Sequence, residues 1–519
     1  MTLVALLLVL FFSRWIPHHS LTVVVADSSI NLYIAQQVNN GLMPYVDAWE
    51  DKPPLVFWLD AFSLKFTPGS ARGIVCVAYV FVLAFFIAVW ATLRPRVGMY
   101  PAMFALLLCM NVMPEVMLVP NLTEVFSLPL QAASFLLLCK ETEDGPRPYY
   151  PLLQGLLAAG LFQLRPNNGA VIALYLLVSL VEHIRRREAR RLAGSLVGFV
   201  AAFAIGNAAV LWTVVQRGCF QQYWDAVFRF GPQYSAMRPA IMHLYAIAVG
   251  LLKLSRSGAS IIVGGAVAVV IVARPFWKKV GDRFAILALT LFLMEVTASG
   301  VSGRAFEHYF IMWLLPVTVL SGLFVQRCGD AIEGRPFAIP AFCGCCAMLV
   351  CGSVLDSAKA TGEAATKFHD RQANVVEYVR ERTTPADRVF FWNGDGEMSF
   401  RVGRRPATRF FHAAAMLDER SYRAQATEAL GDVAHVWPKF ILEYQHEAGS
   451  IPAIFLAGAG TPEDSAPGRL TSGENRDVAL SGTTNSWDTA SLREIKSRLR
   501  SRYHLAYSDG SGVVVYALN

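Results

Sequence analysis

The chain has 519 residues, of which 54% are apolar and 16% charged, and its mean hydropathy of +0.41 is too high for a soluble protein of that length. Its net charge of +7 does not mark a nucleic-acid binder, because the basic residues gather at the ends of apolar runs, where they report membrane topology. Composition therefore excludes a soluble enzyme and points to an α-helical multi-pass membrane protein.

In chain order, apolar runs of near-spanning length fall at 1–16, 71–93, 97–113, 124–139, 150–164, 168–184, 192–215, 256–273, 284–300, 308–325 and 337–355, which predicts about eleven transmembrane helices. The first run is expected as an uncleaved helix rather than a signal peptide, since no clean small-x-small cleavage site follows it. Basic residues cluster after alternate spans: Arg94 and Arg96; Lys140 and Arg147; the run Arg185–Arg191; Arg274, Lys278, Lys279 and Arg283; then Arg327 and Arg335. The positive-inside rule assigns those ends to the cytoplasm. The external face then receives the loop Asp27–Lys52, the loop Gln216–Ala240, the short loop Gly300–Glu307 and the C-terminal region. This divides the chain into a membrane domain, 1–355, with a first external loop over 17–70, and a soluble external domain, 356–519.

The first external loop carries the densest chemistry. Unpaired charges at the edge of a bilayer cost several kcal/mol by order of magnitude, so they are seldom there for packing. Ile30, Tyr33, Ile34 and Val38 recur at helical spacing, and the segment from Asp27 to about Asn40 is expected to form an amphipathic helix on the membrane surface, ended by Gly41. Asp27 reads either as a helix N-cap or as a general base or charge stabiliser facing a lipid-borne substrate. Pro53 and Pro54 impose an extended entry to a short helix over 55–62 and hold Lys52 beside Asp51 at the membrane boundary. Lys52 there either snorkels to lipid headgroups or holds the phosphate of a lipid carrier.

Further along, Asn121, Thr123 and Glu124 open a span on the same face, and a carboxylate at a helix start suits the helix dipole with or without a chemical role. Arg304, Glu307 and His308 form a polar cluster within one helical turn that an apolar span does not tolerate without partners. His308 stays open between metal ligand, phosphate donor and capping residue. All nine cysteines precede residue 352; Cys343, Cys345, Cys346 and Cys351 sit in an apolar run and read as small packing residues, not a metal site. After about residue 356 charged residues become frequent. Helices are expected over 374–382 and 491–499, strands over 387–392, 440–444 and 513–518, and a Gly/Ser/Asp-rich insertion near 457–487, together a small α/β domain.

These motifs resemble the polyprenyl-phosphate-dependent glycosyltransferases of GT-C type, a group that includes protein O-mannosyltransferases and lipid A aminoarabinose transferases. The resemblance rests on Asp27 with Leu32-Tyr33-Ile34-Ala35, on Gly41, Pro44, Tyr45 and Asp47, and on Asp51-Lys52-Pro53-Pro54-Leu55. Asn121 to Glu124, Gly303-Arg304 with His308-Tyr309-Phe310 and Pro316, and the stretch Thr384 to Arg409 follow in matching order. Two departures are Ser28, where many relatives carry a second acid, and Asn31, where many carry an aromatic residue.

The resemblance implies transfer of a sugar from a polyprenyl-phosphate carrier to an acceptor at the external face, with inversion. Asp27 would position or deprotonate the acceptor nucleophile, and Lys52 would hold the carrier phosphate, assisted by Arg304 or His308. Tyr33, Tyr45, Asp47, Asp51, Glu124, Glu307 and Tyr309 are further pocket candidates. No cofactor is firmly implied; a divalent metal is an open reading, with Asp51 and His308 as weak candidate ligands. The expected partners are the lipid-linked sugar, an acceptor (protein, lipid or polysaccharide) and membrane lipids, with no nucleic acid. The expected location is a bacterial inner membrane with a periplasmic C-terminal domain. The competing classes are a transporter or lipid flippase, which would favour mid-span ionisable groups and repeated halves, and an inactive scaffold. Glu295 is the clearest mid-span ionisable residue.

Overall fold

The computed structural model describes residues 26–117, 119, 121–236, 238–256, 281–332, 372–394, 396–416, 419–444, 451–455 and 487–519. Helices α1 (Ala26–Asn39) and α2 (Leu55–Leu64) flank the first loop. A helical bundle follows: α3 (Arg72–Val97), α4 (Met99–Val116), α5 (Thr123–Asp144), α6 (Tyr149–Leu164), α7 (Ala170–Arg186) and α8 (Ala189–Gln216). It continues through α9 (Phe230–Ala236), α10 (Ala240–Arg256), α11 (Gly281–Gly300) and α12 (Leu314–Ile332), the last entered through a tight 3-10 helix, Glu307–Trp313.

Among the described residues, five stretches are long and apolar enough to cross a membrane: Arg72–Val97, Pro166–Arg186, Ala189–Gln216, Arg283–Gly300 and Glu307–Asp330. That is fewer than the eleven expected. The runs 1–16, 256–273 and 337–355 lie outside the described residues, Arg256 excepted. The runs 97–113, 124–139 and 150–164 do form helices, but these fall short in length or hydropathy. Several polar residues of α5 and α6 face inward: Ser134 donates to Gln154 Oε1 at 2.6 Å, and Asn168, in the turn after α6, donates to Ser127 Oγ at 2.7 Å, all four side chains buried. Hydropathy counts such residues against a span, whereas internal hydrogen bonding lets a helix bundle keep them.

Small residues set the closest helix contact. A Cβ added at Gly155 of α6 would lie 2.3 Å from the Phe199 carbonyl oxygen of α8, and one at Gly206 of α8 would lie 2.6 Å from Ala159 Cβ. Helices this close need small side chains at the crossing.

Helix α1 departs from the surface helix expected of it. Leu32, Tyr33, Ile34 and Ala35 are fully buried, and so are Ser28, Ser29 and Asn31 on its other sides. It packs against α2 and against α14 (Glu397–Val402) of the C-terminal unit, where a Cβ at Gly396 would lie 2.7 Å from Ile30 Cγ1. Its polar residues are small enough to be enclosed, so their polarity misleads a periodicity argument. The stretch expected as a loop over 216–240 also folds, into helical turns at Phe220–Trp224 and Asp225–Arg229 and then α9.

The C-terminal unit begins with α13 (Ala373–Glu381) and is built on a five-stranded sheet. Its strands are β1 (Arg388–Trp392), β2 (Arg405–Pro406), β3 (Phe440–Tyr444), β4 (Tyr503–Ser508) and β5 (Val513–Leu518), in the order β2-β1-β3-β5-β4. β1 runs parallel to β2 and β3, and β5 is antiparallel to β3 and β4. The three expected strands form its centre. Helix α15 (Glu419–Val436) was not expected, and α16 (Ala490–Arg502) extends the expected 491–499. The insertion near 457–487, save Trp487, and Cys343, Cys345, Cys346 and Cys351 lie outside the described residues.

Candidate active site

The loop between α1 and α2 is held in an unusual shape. Tyr45 has φ +72°, a left-handed conformation rare for a bulky residue, with a typical cost of about 1–3 kcal/mol. Hydrogen bonds offset it: Tyr45 N donates to the Ala48 carbonyl at 2.7 Å, and Met43 N to Asp47 Oδ2 at 2.8 Å. The buried Tyr45 hydroxyl donates to the Lys52 carbonyl at 2.9 Å, fixing the backbone just before Pro53 and Pro54. Lys52 is thereby delivered to a fixed point.

There its Nζ lies 3.2 Å from Asp27 Oδ2 and donates to Glu50 Oε1 at 2.7 Å. His308 Nε2 approaches the same Asp27 oxygen at 3.8 Å. Burial alone would raise the Asp27 carboxyl, but Lys52 and His308 outweigh it and hold Asp27 below the usual carboxylate range. Glu50 is held well below that range by Lys52 and His412 against the same burial penalty. Asp51 moves the other way: burial, Glu50 and a hydrogen bond shared with Glu50 push it up to about 8. Burial opposes the charge on Lys52, yet Asp27, Glu50 and Asp51 keep it firmly protonated.

Asp27, Asp51 and Lys52 line a cavity of about 640 Å³, joined by Arg165 and Tyr309, with Trp49, Phe228, Phe230 and Phe306 as an aromatic wall. Arg165 is paired with Glu124 and stacks on the Tyr309 ring at 4.3 Å. Glu124, whose Oε2 accepts from Thr123 Oγ1 at 2.9 Å, is buried behind Arg165 and lines a small adjoining pocket near Glu295. The arrangement puts two cations, Lys52 and Arg165, and two ionised carboxylates, Asp27 and Glu50, around one cavity, where a cation can meet an anion beside a group that accepts a proton.

The expected site residues do not all gather there. Tyr33 donates its hydroxyl to the Arg404 carbonyl at 2.9 Å, so it ties α1 to the C-terminal unit. Tyr45 and Asp47 build the loop; Asp47 also borders a separate cleft with Arg388 and Arg405. Glu307 pairs with Lys253 at 2.5 Å, and Arg304 is buried without lining the main cavity. Asp51 and His308 belong to no group of three or more His, Cys, Asp or Glu suited to a metal among the described residues.

Sequence reading missed Arg165, Glu50 and His412. Arg165 had a usable signal: under the charge-based topology it is a lone basic residue at the external end of a span, between Leu164 and Pro166. Glu50 lay in plain view beside Asp51, but nothing local separates the two. His412 contacts the loop only through the tertiary fold.

Residues 51–212, about a third of the chain, match the family model described as dolichyl-phosphate-mannose-protein mannosyltransferase. A comparison with curated proteins gives no match. Among solved structures, ArnT from Cupriavidus metallidurans is similar in the apo state, with TM-score 0.62 and 12% identity, covering 99% of this chain and 97% of that one. The same protein bound to undecaprenyl phosphate gives TM-score 0.59 and 11% identity at the same coverage. The Archaeoglobus fulgidus oligosaccharyltransferase in complex with Zn and sulfate gives TM-score 0.54 and 12% identity, covering 85% of this chain and 68% of that one. Over residues 51–212 this integral membrane chain thus matches the mannosyltransferase family model, and its fold is similar to that of ArnT and of the oligosaccharyltransferase.

Proposed function

We propose that the protein moves a hexosyl or pentosyl group from a polyprenyl-phosphate carrier to an acceptor at the external face of a bacterial inner membrane, with inversion. The observation that carries this reading is the Asp27–Lys52 pair, 3.2 Å apart at the wall of a cavity that Arg165 also lines. Support for the donor class comes from proteins of similar fold whose structures hold undecaprenyl phosphate or dolichol-phosphate. The acceptor is a protein, a lipid or a polysaccharide; one of those proteins was solved with an inhibitory peptide.

In this mechanism the acceptor nucleophile attacks the anomeric carbon while the bond from that carbon to the phosphate oxygen breaks. The bonding electrons leave with the lipid phosphate, whose charge Lys52 and Arg165 offset. The acceptor proton passes to the Asp27 carboxylate. Asp27 is a weak base while Lys52 holds it. A carrier phosphate that takes up the ammonium's charge raises the basicity of Asp27 when the donor is in place.

The test is release of undecaprenyl phosphate from undecaprenyl-phosphate sugars by protein in lipid nanodiscs. Asp27→Asn is expected to cut turnover about a hundredfold or more while the variant stays folded in the membrane. Full turnover by that variant would remove Asp27 from the role of base.

A further inference from the structure

Lys52 has two carboxylate partners of different standing. Asp27 has 32% of its side chain open, whereas Glu50 is 3% open. Both carboxylates line the cavity, and a phosphate entering it meets Asp27 as the more open of the two. A carboxylate as enclosed as Glu50 needs more than one partner to stay charged. Its other neighbour comes from the C-terminal unit: His412 Nε2 donates to the Trp49 carbonyl oxygen at 3.1 Å and lies within ion-pair distance of Glu50 Oε2, at 3.2 Å, with its side chain 1% exposed. The segment carrying His412 is itself locked to the loop, since Trp49 N donates to the Arg409 carbonyl at 2.8 Å.

We propose that His412 is a positioning residue for the carrier phosphate: it holds Glu50, Glu50 holds the Lys52 ammonium at the cavity wall, and the C-terminal unit thereby completes the donor site. The proposal rests on the donor reading given above. It assigns the C-terminal unit a part in donor binding, apart from any part in choosing the acceptor.

Full-length protein in lipid nanodiscs is titrated with undecaprenyl phosphate as the probe. Wild type is expected to bind, and Lys52→Ala to weaken binding; absence of both effects overturns the donor reading itself. His412→Phe removes the ring N–H at similar bulk and is expected to weaken binding about tenfold. His412→Gln, whose amide N–H reaches the same acceptors, is expected to recover most of the loss. In a Lys52→Ala background, His412→Phe is expected to cost nothing further, which a general loss of packing would not produce. Glu50→Gln keeps the shape and removes the anchoring charge, with a similar loss expected. If wild type binds and Lys52→Ala weakens it, then unchanged affinity in Glu50→Gln, or an equal loss from His412→Phe with and without Lys52, overturns the role of His412. Should His412→Phe fail to accumulate, Glu50→Gln decides: a weakened probe supports the proposal and an unchanged one overturns it.

Discussion

At the scale of single residues, three neighbouring acids are set to three different states by their surroundings. Asp27 and Glu50 stay ionised against burial because Lys52 lies between them, while Asp51, sharing a proton with Glu50, is pushed up to about 8. A carboxyl whose folded value exceeds its ordinary one stabilises the fold relative to an ionised state. For Asp51 that contribution is complete below about pH 4 and is lost as pH rises through about 8. Asp51→Asn, a neutral mimic of the protonated acid, is therefore expected to match wild type at low pH and to become the more stable of the two as pH approaches 9. Thermal unfolding in detergent across that range measures it, and parallel curves for the two proteins would show that Asp51 ionises normally. Asp27 and Lys52 were legible because charges at a membrane edge are conspicuous. Glu50 and His412 were not, because the bond that defines them spans most of the chain.

At the scale of elements, helix content was largely legible and helix surroundings were not. Hydropathy located α3, α7, α8 and α11, which are long and apolar enough to cross a membrane. It placed α5 and α6 as helices too; α5 falls short in hydropathy and α6, with 16 residues, in length, while Gln131, Ser134 and Gln154 find partners inside the bundle. Strand β2 has two residues and follows a glycine turn at Gly403, too short for any alternation to show. The α6–α8 crossing has its own consequence. A valine at Gly155 would drive its Cβ into backbone, not into a pliable side chain, so the helices must separate. Gly155→Val is expected to destabilise the bundle by about 1–3 kcal/mol. A lowered unfolding midpoint checks it, and an unchanged midpoint would mean that the helices part freely.

At the scale of the whole molecule, the charge pattern and the cavity imply a definite orientation. The positive-inside rule predicts the basic run around Arg190 on the cytoplasmic side and the C-terminal unit on the other. Cysteines introduced singly at the exposed positions Arg190 and Ala424 test this against the native cysteine background. A membrane-impermeant maleimide applied to intact spheroplasts is expected to label Ala424→Cys, and to label Arg190→Cys only after permeabilisation. The reverse pattern would invert the topology and move the cavity to the cytoplasm.

The burial of α1 between the bundle and the C-terminal unit also orders events in time. Asp27 leaves the ribosome early, whereas Arg404, whose carbonyl receives the Tyr33 hydroxyl across 371 positions, emerges much later. Until that distant segment has been made and docked, the helix bearing Asp27 has one face uncovered and its loop lacks the contacts from Arg409 and His412. A half-made chain in the membrane thus holds a loop still unassembled, which waits on the segment from Arg404 to His412.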